Sequence, residues 1–186
     1  MKNIAIIYDR ELSIGGVETH ILTLLKHINS QEYSYTIVSA VSEDFRRKAV
    51  SLGAQIRPLP NFKPLNLHVL ASMAKLFRQE RIDLVHIHSP AAAITARLAA
   101  ILAGRPNIVT VHAPSVFYYG ERQTLRARTG RAIYINLDRL LNYTATRRLV
   151  YVSNRVYQDC IARHISPAHR SVVIHNGIDL APYQDE

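Results

Sequence analysis

The sequence predicts an α/β fold, an open doubly wound parallel sheet of about seven strands with helices on both faces. Three observations predict it. Short apolar runs of strand character alternate with amphipathic stretches of helical spacing along almost the whole chain. No hairpin signal joins neighbouring runs, so successive strands are parallel and linked by right-handed crossovers. A glycine pair, Gly15-Gly16, stands where the first strand gives way to the first helix.

The elements follow in order. Asn3 to Tyr8 is an apolar run that reads as a buried first strand. Val17, Ile21, Leu24, Leu25 and Ile28 then recur at helical spacing. Tyr35 to Val41 is the second strand. Ser42 is placed to cap the next helix, Glu43 and Asp44 suit its first turn, and Gly53 ends it. Gln55 to Arg57 is a short third strand, followed by a connection stiffened by Pro58, Pro60 and Pro64. Leu67, Leu70, Ala71, Ala74 and Phe77 mark another amphipathic helix. Asp83 to His88 is the fourth strand. Ala91 to Ala103 is an alanine-rich helix closed by Gly104-Arg105-Pro106. Asn107 to His112 is the fifth strand, and the loop Ala113 to Gly120 carries Phe117-Tyr118-Tyr119. From Glu121 to about Thr146 runs a long basic helix, with Ile133, Leu137, Leu140, Leu141 and Thr144 on one side. Leu149 to Val152 is the sixth strand, Ser153 caps a helix reaching about Arg163, and Ser171 to Ile174 is the seventh strand. There is no internal repeat and no low-complexity segment.

Composition sets the outer bounds. The 186 residues suffice for one domain with a real core, and 48% apolar with 20% charged residues is ordinary for a soluble globular protein. No run approaches the roughly 18 apolar residues of a membrane span. The apolar stretch at the N-terminus is too short for a signal peptide. The single cysteine, Cys160, excludes an internal disulfide and fits a reducing compartment. It shares a helical stripe with Val156 and Ile161, which gives it a core role. The net charge of +9 favours polyanions. Zinc-finger spacing, a basic zipper and RNA-binding aromatics are all missing, so nucleic acid has charge alone behind it and is set aside.

The glycine pair admits two readings. Without Cβ atoms it lets a ligand approach the backbone, and the free N–H groups of a helix start favour an anion there. The plainer reading is a loop that needs glycine to turn. Neither a dinucleotide fingerprint nor a Walker loop is present. If strands one and four are neighbours where the strand order reverses, this loop faces the end of strand four, where doubly wound sheets bind ligands. Strand four ends in His86-Ile87-His88-Ser89-Pro90, with His86 and His88 on one face, and strand five ends in Thr110-Val111-His112. His88 and His112 therefore reach the carboxyl edge. His86 is expected to be a satisfied core histidine. The edge histidines could bond hydroxyls or phosphates or move protons. The three together could also ligate zinc, but no carboxylate that would orient them is evident nearby.

These residues reach a resemblance. Gly15-Gly16-Val17-Glu18-Thr19-His20, Asp83-Leu84-Val85-His86-Ile87-His88-Ser89-Pro90, Val109-Thr110-Val111-His112, Val150-Tyr151-Val152-Ser153 and Val173-Ile174-His175-Asn176-Gly177-Ile178-Asp179 occur in register. Together they resemble the N-terminal domain of the retaining GT-B glycosyltransferases of the family-four type. The resemblance assigns 1–179 to the acceptor-side domain and 180–186 to the start of a linker. It implies two facing Rossmann-like domains with a cleft between them, no cofactor and no catalytic metal. By position it implies Gly15 and Gly16 at the donor diphosphate and His112 at the transferred sugar. It implies His88, Ser89 and Pro90 on the acceptor side, with Asp9, Arg10, Tyr118 and Tyr119 as further acceptor candidates. The leaving diphosphate would be stabilised electrostatically by backbone N–H groups and basic side chains.

The expected partners are a nucleotide-sugar donor, a glycan or lipid-linked acceptor, and a C-terminal donor domain in cis or in trans. Asn176-Gly177-Ile178-Asp179 lies just before Glu186, so the donor domain is expected elsewhere and the isolated chain is expected to be inactive. Arg122, Arg126, Arg128 and Arg131 make either a solvated helix face or a contact to an anionic membrane, with Phe117, Tyr118 and Tyr119 entering the interface. The expected location is cytoplasmic, either free or peripheral at the inner face of the membrane. The rivals are a sugar-nucleotide epimerase on the same plan and a stand-alone binding domain for a phosphate ligand or a protein partner.

Overall fold

In the computed structural model the strands are β1 (Lys2–Ile7), β2 (Tyr33–Val38), β3 (Gln55–Arg57), β4 (Leu84–Ile87), β5 (Asn107–Val111), β6 (Arg148–Tyr151) and β7 (Ser171–Val173). The helices are α1 (Gly16–His27), α2 (Glu43–Ser51), α3 (Leu67–Gln79), α4 (Pro90–Ala103), α5 (Leu125–Thr144) and α6 (Asn154–Ala162). The structure describes residues 1–8, 12, 15–58, 66–88, 90–113 and 125–177, with 90–92 and 125–128 described by backbone alone.

Every pairing is parallel, and the order is β3-β2-β1-β4-β5-β6-β7. β1 is thus the switch strand, paired with β2 on one edge and β4 on the other. This meets the expected doubly wound sheet, with strands one and four as neighbours.

β1 shows why the sheet needs helices on both faces. Ile4, Ala5, Ile6 and Ile7 are all buried. Alternation sends Ile4 and Ile6 to one side, where they join Ile21 and Leu25 of α1 and Phe45 of α2. Ala5 and Ile7 go to the other, with Met73 and Phe77 of α3, Ala93 and Ala96 of α4, and Val156 and Cys160 of α6. Each fully buried isoleucine contributes roughly 1.5–3 kcal/mol relative to exposure. Cys160 has the expected core place, and burial raises its thiol to about 12.

The local signals hold where they are local. Ser42 Oγ accepts from the Phe45 N–H and Ser153 Oγ from the Val156 N–H, both at 3.3 Å. Gly53 and Gly104 close their helices at φ +84° and +68°, the left-handed region that favours glycine. A cap not foreseen is Asn66, whose Oδ1 accepts from His68 and Val69 at the start of α3.

Two expectations need correction. The second strand begins earlier and ends earlier than Tyr35 to Val41. Its register pairs Lys2 with Tyr33 and Ile7 with Val38, so β1 sets both ends. Val41 instead forms an isolated bridge with Leu12. The second correction is the orientation of α5. Leu141 is buried, but Ile133 and Leu140 are 62% and 56% exposed, and Asp138 and Asn142 point inward. The cause is Arg97 on α4, which is wholly buried. Its Nη2 donates to Asp138 Oδ1, its Nη1 to Asn142 Oδ1 at 2.6 Å and Thr146 Oγ1 at 3.4 Å, and its Nε to the Ala93 carbonyl at 2.9 Å. A buried guanidinium needs a carboxylate more than the helix needs its leucines inside. α5 therefore turns its polar stripe to the core and leaves apolar residues outside.

Candidate functional site

The site forms at the carboxyl edge of the switch point. Ile7 of β1 pairs with Ile87 of β4, and the next amide, His88 N–H, still donates to the Ile7 carbonyl at 3.0 Å. That bond fixes His88 directly beyond the sheet. His112 follows β5 in the same way. Both belong to the face that packs on α1, because they continue the alternation that puts Val85, Ile87 and Val109 on the other face.

α1 adds a third ring. His20 lies one turn into the helix, and helical Cβ atoms tilt toward the N-terminus, so its side chain leans back to the edge. The ring centroids stand 5.5 Å apart for His20 and His88, 5.1 Å for His20 and His112, and 5.5 Å for His88 and His112. His88 Nδ1 and His112 Nε2 are in hydrogen-bond contact at 3.2 Å. His88 Nε2 is buried with no hydrogen-bond partner. His86 sits behind, its ring 4.0 Å from that of His88 and its Nε2 2.7 Å from Thr110 Oγ1. It is the satisfied histidine that was expected.

Burial holds these imidazoles neutral. It is the main cause in each case, reinforced for His86, His88 and His112 by neighbouring imidazoles. His86 falls to about 3, His112 to about 4, and His88 well below the usual histidine value. His20 is lowered by burial and partly restored by a hydrogen bond with the Asn176 side chain. Near neutral pH the cluster is a set of uncharged donors and acceptors.

The glycine pair divides its work. A Cβ on Gly15 would stand 2.6 Å from Glu18 Oε2, whereas one on Gly16 would meet nothing within 4 Å. Glu18 is buried in the first turn of α1 and folds back on Gly15. The Glu18 carboxyl group therefore fills the space over Gly15, and the open approach lies over Gly16.

His20, Glu18 and Asn176 were not singled out individually from the sequence. The spacing of Gly16 and His20, four apart on a helix, was the available signal for His20. Asp9, Arg10, Ser89, Phe117, Tyr118, Tyr119 and Arg122 lie outside the described residues. Of Pro90, Arg126 and Arg128 only the backbone is described, at the starts of α4 and α5. Arg131 is partly buried and engaged. The histidine triple considered for zinc also changes membership. His20 joins His88 and His112 in place of His86, whose nitrogen is held by Thr110.

A doubly wound parallel sheet with helices on both faces, a helix opened by glycine and imidazoles at its switch point define an α/β domain of the Rossmann-like class. Comparison narrows the class. The model of Glycosyltransferase Family 4 matches residues 14–182, and the chain belongs to that family. It is 32% identical over 115 residues to the UDP-Gal:alpha-D-GlcNAc-diphosphoundecaprenol alpha-1,3-galactosyltransferase of Escherichia coli, covering 61% of this chain and 28% of that protein. Its fold matches a glycosyltransferase from Rickettsia africae ESF-5 at TM-score 0.71 and 18% identity, covering 98% of this chain and 45% of that one. It also matches Anabaena Alr3699/HepE in complex with UDP-glucose at TM-score 0.69 and 16% identity, covering 98% and 46%. The chain thus spans less than half the length of each of these proteins. The shared fold is that of the GT-B glycosyltransferases.

Proposed function

We propose that this chain is the acceptor-side domain of a retaining glycosyltransferase. The enzyme moves a hexosyl unit from a nucleotide-sugar donor to a hydroxyl on a surface glycan or a lipid-linked precursor. The observation that carries the reading is the meeting of His88 and His112 at the carboxyl edge with His20, one turn along the helix that opens at Gly16, in a chain of this family.

The chemistry follows from that edge. The donor diphosphate approaches over Gly16, where no side chain intervenes and the first-turn N–H groups lack intrahelical partners. Glu18, tucked against Gly15, fills the other side of the helix start and leaves the approach over Gly16 as the open one. His112, neutral, hydrogen-bonds a hydroxyl of the transferred sugar and fixes the reacting carbon against the acceptor. His88, in contact with His112, holds that ring in one orientation. Ser89 and Pro90, with Asp9, Arg10, Tyr118 and Tyr119, line the acceptor side. The donor nucleotide is read by a second domain, in cis or in trans, and the chain without it is inactive.

The test is hexosyl transfer from a UDP-hexose in the presence of the donor domain. Wild type forms a glycoside of unchanged anomeric configuration, read by NMR of the product. His112→Ala lowers turnover by about 10²–10³-fold, the scale of removing one pre-organised hydrogen-bond donor. Turnover near that of wild type would remove His112 from the reacting centre, and an epimerised donor in place of a glycoside would favour the epimerase.

A lipid-linked acceptor also explains the exterior of α5. Ile133, Leu140 and Tyr143 are exposed at helical spacing on a basic chain. No helix among the described residues is long and apolar enough to cross a membrane. We therefore assign α5, with Arg122, Arg126, Arg128 and Arg131, to the inner membrane surface, lying on it and not through it. Co-sedimentation should favour anionic over neutral vesicles, and equal binding would sink the electrostatic contact.

A further inference from the structure

The histidine cluster is also built to the dimensions of a metal site. His20, His88 and His112 each offer one ring nitrogen, and the nitrogens lie within 4.8 Å of one another. Metal–nitrogen bonds of about 2.0–2.1 Å at tetrahedral angles set two ligand nitrogens about 3.3 Å apart. The 3.2 Å between His88 Nδ1 and His112 Nε2 already meets that spacing. The rings come from three separate parts of the fold, α1 and the ends of β4 and β5, so their grouping is made by the tertiary structure.

Two further observations concern how the rings are held. His88 is 2% exposed, so its ring is fixed inside the fold with Nδ1 turned to His112. The surroundings also orient the rings as outer partners orient metal ligands: Asn176 hydrogen-bonds His20, and the His86 ring, fixed by Thr110, packs against that of His88. Imidazole nitrogens without thiolate or carboxylate suit Zn²⁺, Cu²⁺ and Ni²⁺, not Mg²⁺ or Ca²⁺.

We propose that His20, His88 and His112 bind one late first-row divalent ion of the zinc class through three imidazole nitrogens, leaving a further coordination position open, and that occupancy shuts the sugar site. The binding stands on the geometry alone. The inhibition rests on the reading of His112 as the sugar contact, because an ion held beside that ring takes the space the sugar would enter.

The first probe is ZnCl₂ titrated calorimetrically into the full chain, with Co²⁺ as the spectroscopic substitute. One equivalent should bind tightly, and Co²⁺ should give the intense visible bands of a low-coordinate site. His20→Ala and His20→Gln should each weaken that equivalent by about 100-fold or more, since losing an outer partner alone costs 10–100-fold. Glutamine is polar and of comparable length and lacks the imidazole, so it guards against misfolding as the cause. His68→Ala, on an exposed histidine, should leave the equivalent in place. Zinc affinity unchanged in both His20 variants, or binding no tighter than exposed histidines provide, overturns the site. With the donor domain present, zinc should stop transfer and a chelator should restore it. Tight zinc binding without inhibition would leave the site standing and overturn the inhibition together with the assignment of His112.

Discussion

Two polar clusters are built into this domain, and they are finished differently. Around Arg97 all three guanidinium nitrogens donate, and Asn142 Nδ2 reaches Asp138 Oδ2 at 3.3 Å and the Ile165 carbonyl at 3.1 Å. Around His88 one ring nitrogen is buried and unpaired. The first cluster locks α5 to α4. The second keeps hydrogen-bonding capacity in reserve at the edge where ligands arrive. A closed polar network specifies structure, whereas an unpaired group at the ligand edge leaves capacity for chemistry.

The contrast can be broken most sharply at Arg97. Arg97→Ala strands the Asp138 carboxylate in the core and should cost about 3–5 kcal/mol, read by chemical denaturation. Replacing Arg97, Asp138 and Asn142 together by Met, Leu and Leu should recover most of that. A single variant as stable as wild type would mean that α5 is held by something else. His112→Ala should do the reverse, lowering transfer by the factor given above while shifting stability by only about 1 kcal/mol. A stability loss as large as that of Arg97→Ala would make the histidines structural.

Acid should also separate the clusters. His112 and His86 are depressed to about 4 and about 3 from 6.5, so between those values and 6.5 the unfolded chain binds more protons than the folded one. Stability is therefore full above pH 6.5 and falls as the pH drops toward 4, by up to about 1.4 kcal/mol per pH unit for each proton taken up. In His112→Ala that slope should be shallower, as followed by denaturation midpoints across the window. An unchanged slope would place the titration elsewhere. The smallest effect belongs to Gly16→Val, whose Cβ meets nothing within 4 Å. Folding should be nearly unaffected while donor affinity weakens about tenfold, or about 1.4 kcal/mol. Unchanged affinity would move the diphosphate away from Gly16.

What the sequence made legible follows the same division. Alternating apolar periods exposed the order of strands and helices because a parallel sheet buries both faces. Ser42, Ser153, Gly53 and Gly104 were readable because capping is decided within a few residues. The positions of the glycine pair, His88 and His112 were readable because each follows the carboxyl end of a strand. The orientation of α5 was not, since Arg97 and Asp138 are 41 residues apart and only the folded core reveals that they meet. His20 escaped for a related reason: its place beside His88 depends on the strand order, not on any local pattern. The apolar side drawn through Ile133 and Leu140 followed helical spacing correctly, but a buried cation reversed which side faces in.

The amino edge of the sheet has a consequence for synthesis. Asn3 ties β1 down from three directions. Its N–H donates to Asp83 Oδ2 at 2.8 Å, its Nδ2 to the Glu80 carbonyl at 2.9 Å, and its Oδ1 accepts from Thr36 at 3.2 Å. The Asp83 partner lies 80 residues further along the chain. On the ribosome β1 emerges first and can pair early with β2, but its other edge must wait until β4 has been made. Through that interval a strand whose Ile4, Ala5, Ile6 and Ile7 are all destined for the core presents an open row of amides and carbonyls, the kind of edge that recruits other chains. The strand that organises the finished sheet thus stays open to misassembly while the protein is being born.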